Sequence, residues 1–174
     1  MTGATSLIPG CRTILDIGGQ DTKVIALDTA GKVQKFVMND RCAAGTGQFL
    51  EMMATALGYT REEFVMAANH AGRAQRLSSM CSVFAQSEVV SLVAQGASKE
   101  EMALGVHHAI ASRAASLAGG VQMEDPVVFT GGCACNPCLV SAVSEALKRP
   151  LRIPESPQTM AALGCALFGN KGGL

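Results

Sequence analysis

Three short β-rich runs, residues 12–17, 22–28 and 33–38, are separated by nothing longer than glycine-bearing turns. The turns are Gly18-Gly19-Gln20-Asp21 and Thr29-Ala30-Gly31-Lys32. Neither leaves room for a crossover helix, so the runs predict an antiparallel meander. After residue 39 the pattern turns helical, with helices expected over about 47–57, 60–68, 82–95, 98–118, 136–147 and 156–168. Two further strands are expected at 127–130 and 151–153. The boundaries carry their own chemistry. Gly58, Gly96 and Gly119-Gly120 are stops, and Thr60 and Ser98 are N-caps followed by acids. Pro137 and Pro157 suit a first helical turn. Over 82–95 the period puts Val83, Val90, Val93 and Ala94 on one side. This order of elements predicts an α/β chain with a mixed sheet and flanking helices. Its 174 residues suit one domain over 12–169, between a loose lead-in (1–11) and a frayed tail (170–174).

Composition excludes several functions. The 14 basic groups balance 14 acidic ones, which argues against nucleic-acid or membrane-surface partners. With no Trp and one Tyr there is no stacking platform for bases. No apolar run reaches the roughly 20 residues of a bilayer span, and the N-terminus lacks an export pattern. A cytoplasmic protein is expected, whose seven cysteines serve as ligands or core rather than disulfides.

Two of those cysteines stand just before expected helices. Cys42 lies in N-D-R-C-A-A-G-T-G-Q-F-L-E and Cys81 in S-S-M-C-S-V-F-A-Q-S-E. Free backbone N–H groups and the positive end of a helix dipole favour a thiolate or a negatively charged cluster there. Burial as small hydrophobes is the competing reading. Asp16-Ile17-Gly18-Gly19-Gln20-Asp21-Thr22-Lys23 is a candidate phosphate loop. Its glycines let backbone N–H groups approach phosphate. Asp16 suits water-mediated Mg²⁺ binding, Gln20 the orientation of an attacking water, and Lys23 charge compensation. An ordinary hairpin turn is the alternative. Thr130-Gly131-Gly132, between an apolar strand and a helix, suits the adenosine part of a nucleotide. Cys133, Cys135 and Cys138 read either as three thiolate ligands or as small residues packing a loop. His107 and His108 point different ways on one helix, which disfavours a shared metal.

Taken together, D-I-G-G-Q-D-T-K, N-D-R-C-A-A-G-T-G-Q-F-L-E, C-S-V-F-A-Q-S-E-V, F-T-G-G-C-A-C-N and I-P-E-S-P-Q-T-M-A-A-L-G resemble the BadF/BadG/BcrA/BcrD ATPases over residues 12–169. That family includes activators of 2-hydroxyacyl-CoA dehydratases and ATPase subunits of benzoyl-CoA reductases. The resemblance implies the actin/Hsp70/sugar-kinase-like (ribonuclease H-like) ATPase fold. It implies a homodimer, or paired related subunits, sharing one 4Fe–4S cluster, with Cys42 and Cys81 as this chain's ligands. It matches Asp16, Gly18, Gly19 and Gln20 to the second phosphate motif, and Gly131 and Gly132 to the adenosine motif, with Asn136 and Gln158 as neighbours. The cofactors implied are ATP, Mg²⁺ and the cluster; the implied partner is a dehydratase- or reductase-type iron–sulfur enzyme. Two departures stand out. The family's first phosphate loop, a D-x-G-S-T segment, has no counterpart, so poor ATP hydrolysis is expected unless another chain supplies it. The three clustered cysteines are also not general to the adenosine loop. The alternatives are a non-catalytic dimerisation or regulatory module and a kinase-like phosphotransferase of the same superfold.

Overall fold

The structure, a computed structural model, describes residues 2–77 and 81–171. A five-stranded mixed sheet organises it, in the order β3-β2-β1-β4-β5. The strands are β1 (Thr13–Ile17), β2 (Thr22–Leu27), β3 (Val33–Asn39), β4 (Val127–Thr130) and β5 (Leu151–Arg152). The first three form the expected antiparallel meander. On the other side β1 pairs in parallel with β4, and β4 with β5. β1 and β4 are therefore central and almost wholly buried, whereas β3 is an edge strand with mostly exposed side chains.

Helices cover both faces. α2 (Gly47–Leu57), α3 (Arg61–His70), α4 (Ser82–Ala94), α5 (Lys99–Ala118) and α6 (Pro137–Leu147) lie on one side. There Leu15, Ile17 and Phe129 of the sheet pack with Phe49, Met53, Phe64, Ile110 and Leu139. The opposite face buries Ile14, Leu27 and Val128 with Ala4 and Cys11. Local chemistry sets the helix ends. Thr60 and Glu63 form a reciprocal capping box. Ser98 caps α5, and Gly58 closes α2 at a φ of 77° that suits glycine.

The expected elements are present, with four corrections. The lead-in is not loose: Thr2–Leu7 is a helix, α1, packed on α7 (Met160–Lys171). Gly3 permits this, because a Cβ there would lie 2.1 Å from the Met160 carbonyl oxygen. The last helix begins as a 3₁₀ turn, Pro157–Thr159, and runs on through Lys171, so Asn170 is helical rather than frayed. On α4 Ala85 and Val89 are buried and Val93 packs partly buried against the core, while Val90 and Ala94 are exposed, which corrects the expected stripe; the Val83 side chain lies outside what the structure describes. Finally, Cys42 does not cap α2; it precedes a 3₁₀ turn, Ala43–Gly45, and Thr46 intervenes before the helix. Ser78, Ser79 and Met80, the serine-rich approach to Cys81, lie outside the described residues, as do residues 172–174 of the tail.

Candidate functional site

The parallel pairing of β1 with β4 puts two glycine loops side by side. Gly18-Gly19 follows β1 and Gly131-Gly132 follows β4. The strand ends are joined by side chains: the Thr130 hydroxyl donates to Asp16 Oδ2 at 2.6 Å. Gly131, at φ 90°, lies so close to β1 that a Cβ would stand 2.3 Å from the Ile17 carbonyl oxygen. Its N–H donates to Pro157 O at 3.0 Å, which ties the turn carrying Gln158 to the same loop.

These loops border a cavity of about 830 Å³, together with the start of α2 and the α2–α3 corner. Gly18, Gly19, Gly132, Asn136 and Gln158 line it. A Cβ at Gly19 or Gly132 would meet no protein atom within 4 Å. Bare backbone at both positions is what close approach of a phosphate or sugar requires. Tyr59 and Phe64 supply an aromatic wall, their ring centroids 6.3 Å apart. Asp16, Gly131, Gln20 and Lys23 do not line the cavity directly. Gln20 is exposed on the turn, and Lys23 pairs with Asp21 at 2.7 Å.

Asn136 is committed before any ligand arrives. Its Oδ1 accepts the Leu139 N–H at 3.0 Å and caps α6. Its Nδ2 lies 2.9 Å from His107 Nε2, and His107 Nδ1 lies 2.8 Å from Ala103 O. A carbonyl can only accept, so Nδ1 carries the proton and Nε2 accepts from Asn136. His107 is fully buried and stacks on Phe64 at 5.2 Å. Burial lowers its pKa, and the nearby His108 adds to that, against a backbone bond that raises it.

The cysteines divide into two kinds. Cys133 and Cys138 are buried, and burial pushes their thiols up to about 12 and about 11. Cys133 Sγ sits 3.8 Å from Gly18 O, packed against the Gly18-Gly19 turn. Cys135 is exposed. Among the described residues no three His, Cys, Asp or Glu side chains converge as a metal site, so this triplet does not close on one ion. Cys42 and Cys81 are both exposed and neither is in a disulfide. Asn39 Nδ2 donates to Cys42 O at 3.0 Å, and the Thr22 hydroxyl to Gly45 O at 2.7 Å, which pins the Cys42 turn to the meander. Cys81 is the N-cap of α4.

One link joins the cavity to the Cys42 arm. The first N–H groups of α2, Gly47 and Gln48, donate to Gly18 O and Gly19 O at 2.9 and 2.8 Å. The Gly18-Gly19 turn thus caps the helix that continues from the Cys42 turn.

A profile of the BadF/BadG/BcrA/BcrD ATPase family matches residues 1–169. The chain belongs to the BadF/BadG/BcrA/BcrD ATPase family. It is 47% identical over 166 residues to an activator of lactoyl-CoA dehydratase from Anaerotignum propionicum, covering 95% of this chain and 64% of that one. It is 35% identical over 174 residues to one of the benzoyl-CoA reductase subunits of Thauera aromatica, covering 96% and 61%. Among solved structures it matches the Clostridium difficile activator of 2-hydroxyisocaproyl-CoA dehydratase with bound ADPNP. The TM-score is 0.94 at 38% identity, over 98% of this chain and 64% of that one. The chain therefore spans less than two thirds of the length of these family members. The mixed sheet with flanking helices is the actin/Hsp70-like ATPase fold.

Within this family fold, sequence reasoning overlooks Thr130 as the partner of Asp16 and His107 as the partner of Asn136. It also passes over Arg113 on α5, near the Cys42 turn. Arg113 is the single Asp, Glu, Lys or Arg in residues 102–118, a signal visible in the sequence.

Proposed function

We propose that this chain forms part of an ATP-driven electron-transfer activator of the cytoplasm. It delivers low-potential electrons to a 2-hydroxyacyl-CoA dehydratase or a benzoyl-CoA reductase-type enzyme. The observation that carries this reading is the hydrogen-bonded link from Gly18 and Gly19 into α2, with Cys42 a few residues upstream. A change at the phosphates is felt first by the carbonyls of that loop, then by the helix start, then by the arm bearing the thiol.

In this reading Gly18, Gly19 and Gly132 offer bare backbone to the nucleotide, and Asn136 and Gln158 stand beside it. Asp16, held by Thr130, accepts hydrogen bonds from water bound to Mg²⁺. Lys23 offsets phosphate charge, and Gln20 orients the attacking water once the nucleotide is in place. The donor set fits a shared 4Fe–4S cluster. Each chain offers two exposed thiols, Cys42 and Cys81, and a cubane takes four. A second copy, or a related subunit, completes the set. When bound, the cluster supplies one-electron chemistry at low potential.

The test is iron and sulfide content after anaerobic reconstitution, with an EPR spectrum of the reduced protein. About four irons per two chains, lost in Cys42→Ser and in Cys81→Ser, is the expected result. A colourless, iron-free monomer would sink the proposal.

A further inference from the structure

Arg113 enters from α5, an element that carries neither thiol nor nucleotide loop, and its side chain is fixed from two directions. Its stem lies against the Cys42 arm: a Cβ built on Gly45, the last residue of the turn that follows Cys42, would meet Arg113 Cβ and Cδ at 3.5 Å each. Its guanidinium lies 5.8 Å from the ring centroid of Phe49 at the start of α2. The side chain is half-buried, and burial lowers its pKa while charge on Cys42 and on Cys81 raises it. The cation thus lies against the turn that follows Cys42.

We propose that Arg113 is a positioning residue that holds a positive charge beside the Cys42 arm and sets the reduction potential of the iron–sulfur centre that Cys42 and Cys81 bind. The inference rests on the reading of Cys42 and Cys81 as ligands and goes beyond it. Two thiolates per chain bring negative charge into a partly desolvated place, and reduction adds one more electron. A nearby cation lowers the energy of both states, and of the reduced state more, so it raises the potential. Arginine suits the task because its guanidinium stays protonated when partly buried and lies flat on an aromatic ring. In a two-chain assembly each centre would have two such arginines.

The experiment is a redox titration of the reconstituted protein, followed by EPR. Titanium(III) citrate is the one-electron donor, and Arg113→Gln and Arg113→Lys are compared with the wild type. Arg113→Gln is expected to keep its iron and to lose at least tenfold in the reduction equilibrium, a shift of about 59 mV to more negative potential. Arg113→Lys should recover most of that loss, because it restores the charge. A glutamine variant that binds full iron at the wild-type potential overturns the inference. So does an equal shift in both variants, which would mean that shape rather than charge matters. If the glutamine variant loads no iron but the lysine variant does, Arg113 acts at cluster binding rather than on the potential, and the inference fails. If neither variant loads, Arg113 is a structural residue and the inference fails. A wild-type protein that binds no iron is a different failure, that of the ligand assignment itself.

Discussion

Gly131 and Gly132 are adjacent and chemically identical, yet the fold itself requires glycine only at the first. At Gly131 the backbone holds a φ of 90° and β1 leaves no space for a methyl group. Gly131→Ala is therefore expected to destabilise the fold by about 2–3 kcal/mol, combining left-handed strain with a backbone clash. Urea unfolding would read this directly. At Gly132 nothing lies within 4 Å of the added carbon. Gly132→Ala should leave the urea midpoint nearly unchanged and weaken nucleotide binding instead, as measured by calorimetry. Thr130→Val addresses a third role at the same edge. Losing the hydroxyl that donates to Asp16 removes a hydrogen bond to a charged group, worth about 1.5–3 kcal/mol. In the proposed activator, completed by the missing phosphate loop, phosphate release should slow by roughly 10- to 100-fold in kcat, with a smaller effect on KM.

At the scale of elements, the α5–α6 contact is held by a polar lock inside an apolar interface. His107 serves there only as a neutral ring, because its Nε2 must accept from Asn136. Its folded-state pKa lies below the ordinary 6.5. Between those two values the unfolded chain binds more protons than the folded one, so stability rises with pH across that window. The contribution is complete above about pH 6.5 and is lost as the pH falls through the folded-state value. Urea midpoints measured from pH 7.5 down to 5 should show this slope, and His107→Gln should flatten it. Legibility in the sequence also divides at this scale. Thr60, Ser98, Gly58 and Pro137 act within a turn of their own position, and the helices they bound stand where local chemistry places them. α1 is not legible because the short Thr2–Leu7 segment, with its small residues, has no helical signal of its own; it exists through the contact of Gly3 with α7. A reading of residues alone starts α2 at residue 47, where it begins, but reads the segment after Cys42 as a loop, because no local pattern marks the 3₁₀ turn Ala43–Gly45. Asp16–Thr130 and His107–Asn136 join residues far apart in the chain, and no local pattern signals such a partner.

Across the whole molecule, the seven cysteines form a pattern that solution chemistry can read. Cys42, Cys81, Cys135 and Cys165 are exposed, and Cys11, Cys133 and Cys138 are buried. Anaerobic alkylation of the metal-free protein, followed by peptide mass spectrometry, should therefore modify the four exposed thiols. After iron loading only Cys135 and Cys165 should remain reactive. Protection that fell on Cys133 or Cys138 instead would move the metal to the adenosine loop. The same sheet that separates these groups also fixes the order in which they can come into being. β4, whose end carries Gly131-Gly132, pairs with β1 through residues 114 positions apart. At roughly 5–20 residues per second, a ribosome takes about 6–23 s to travel that distance. Throughout that interval the finished meander offers the open edge of β1, its most apolar strand, to whatever extended segment it meets. Until β4 arrives, that edge of β1, beside the proposed nucleotide cavity, has no neighbour in the sheet, and β4 closes it.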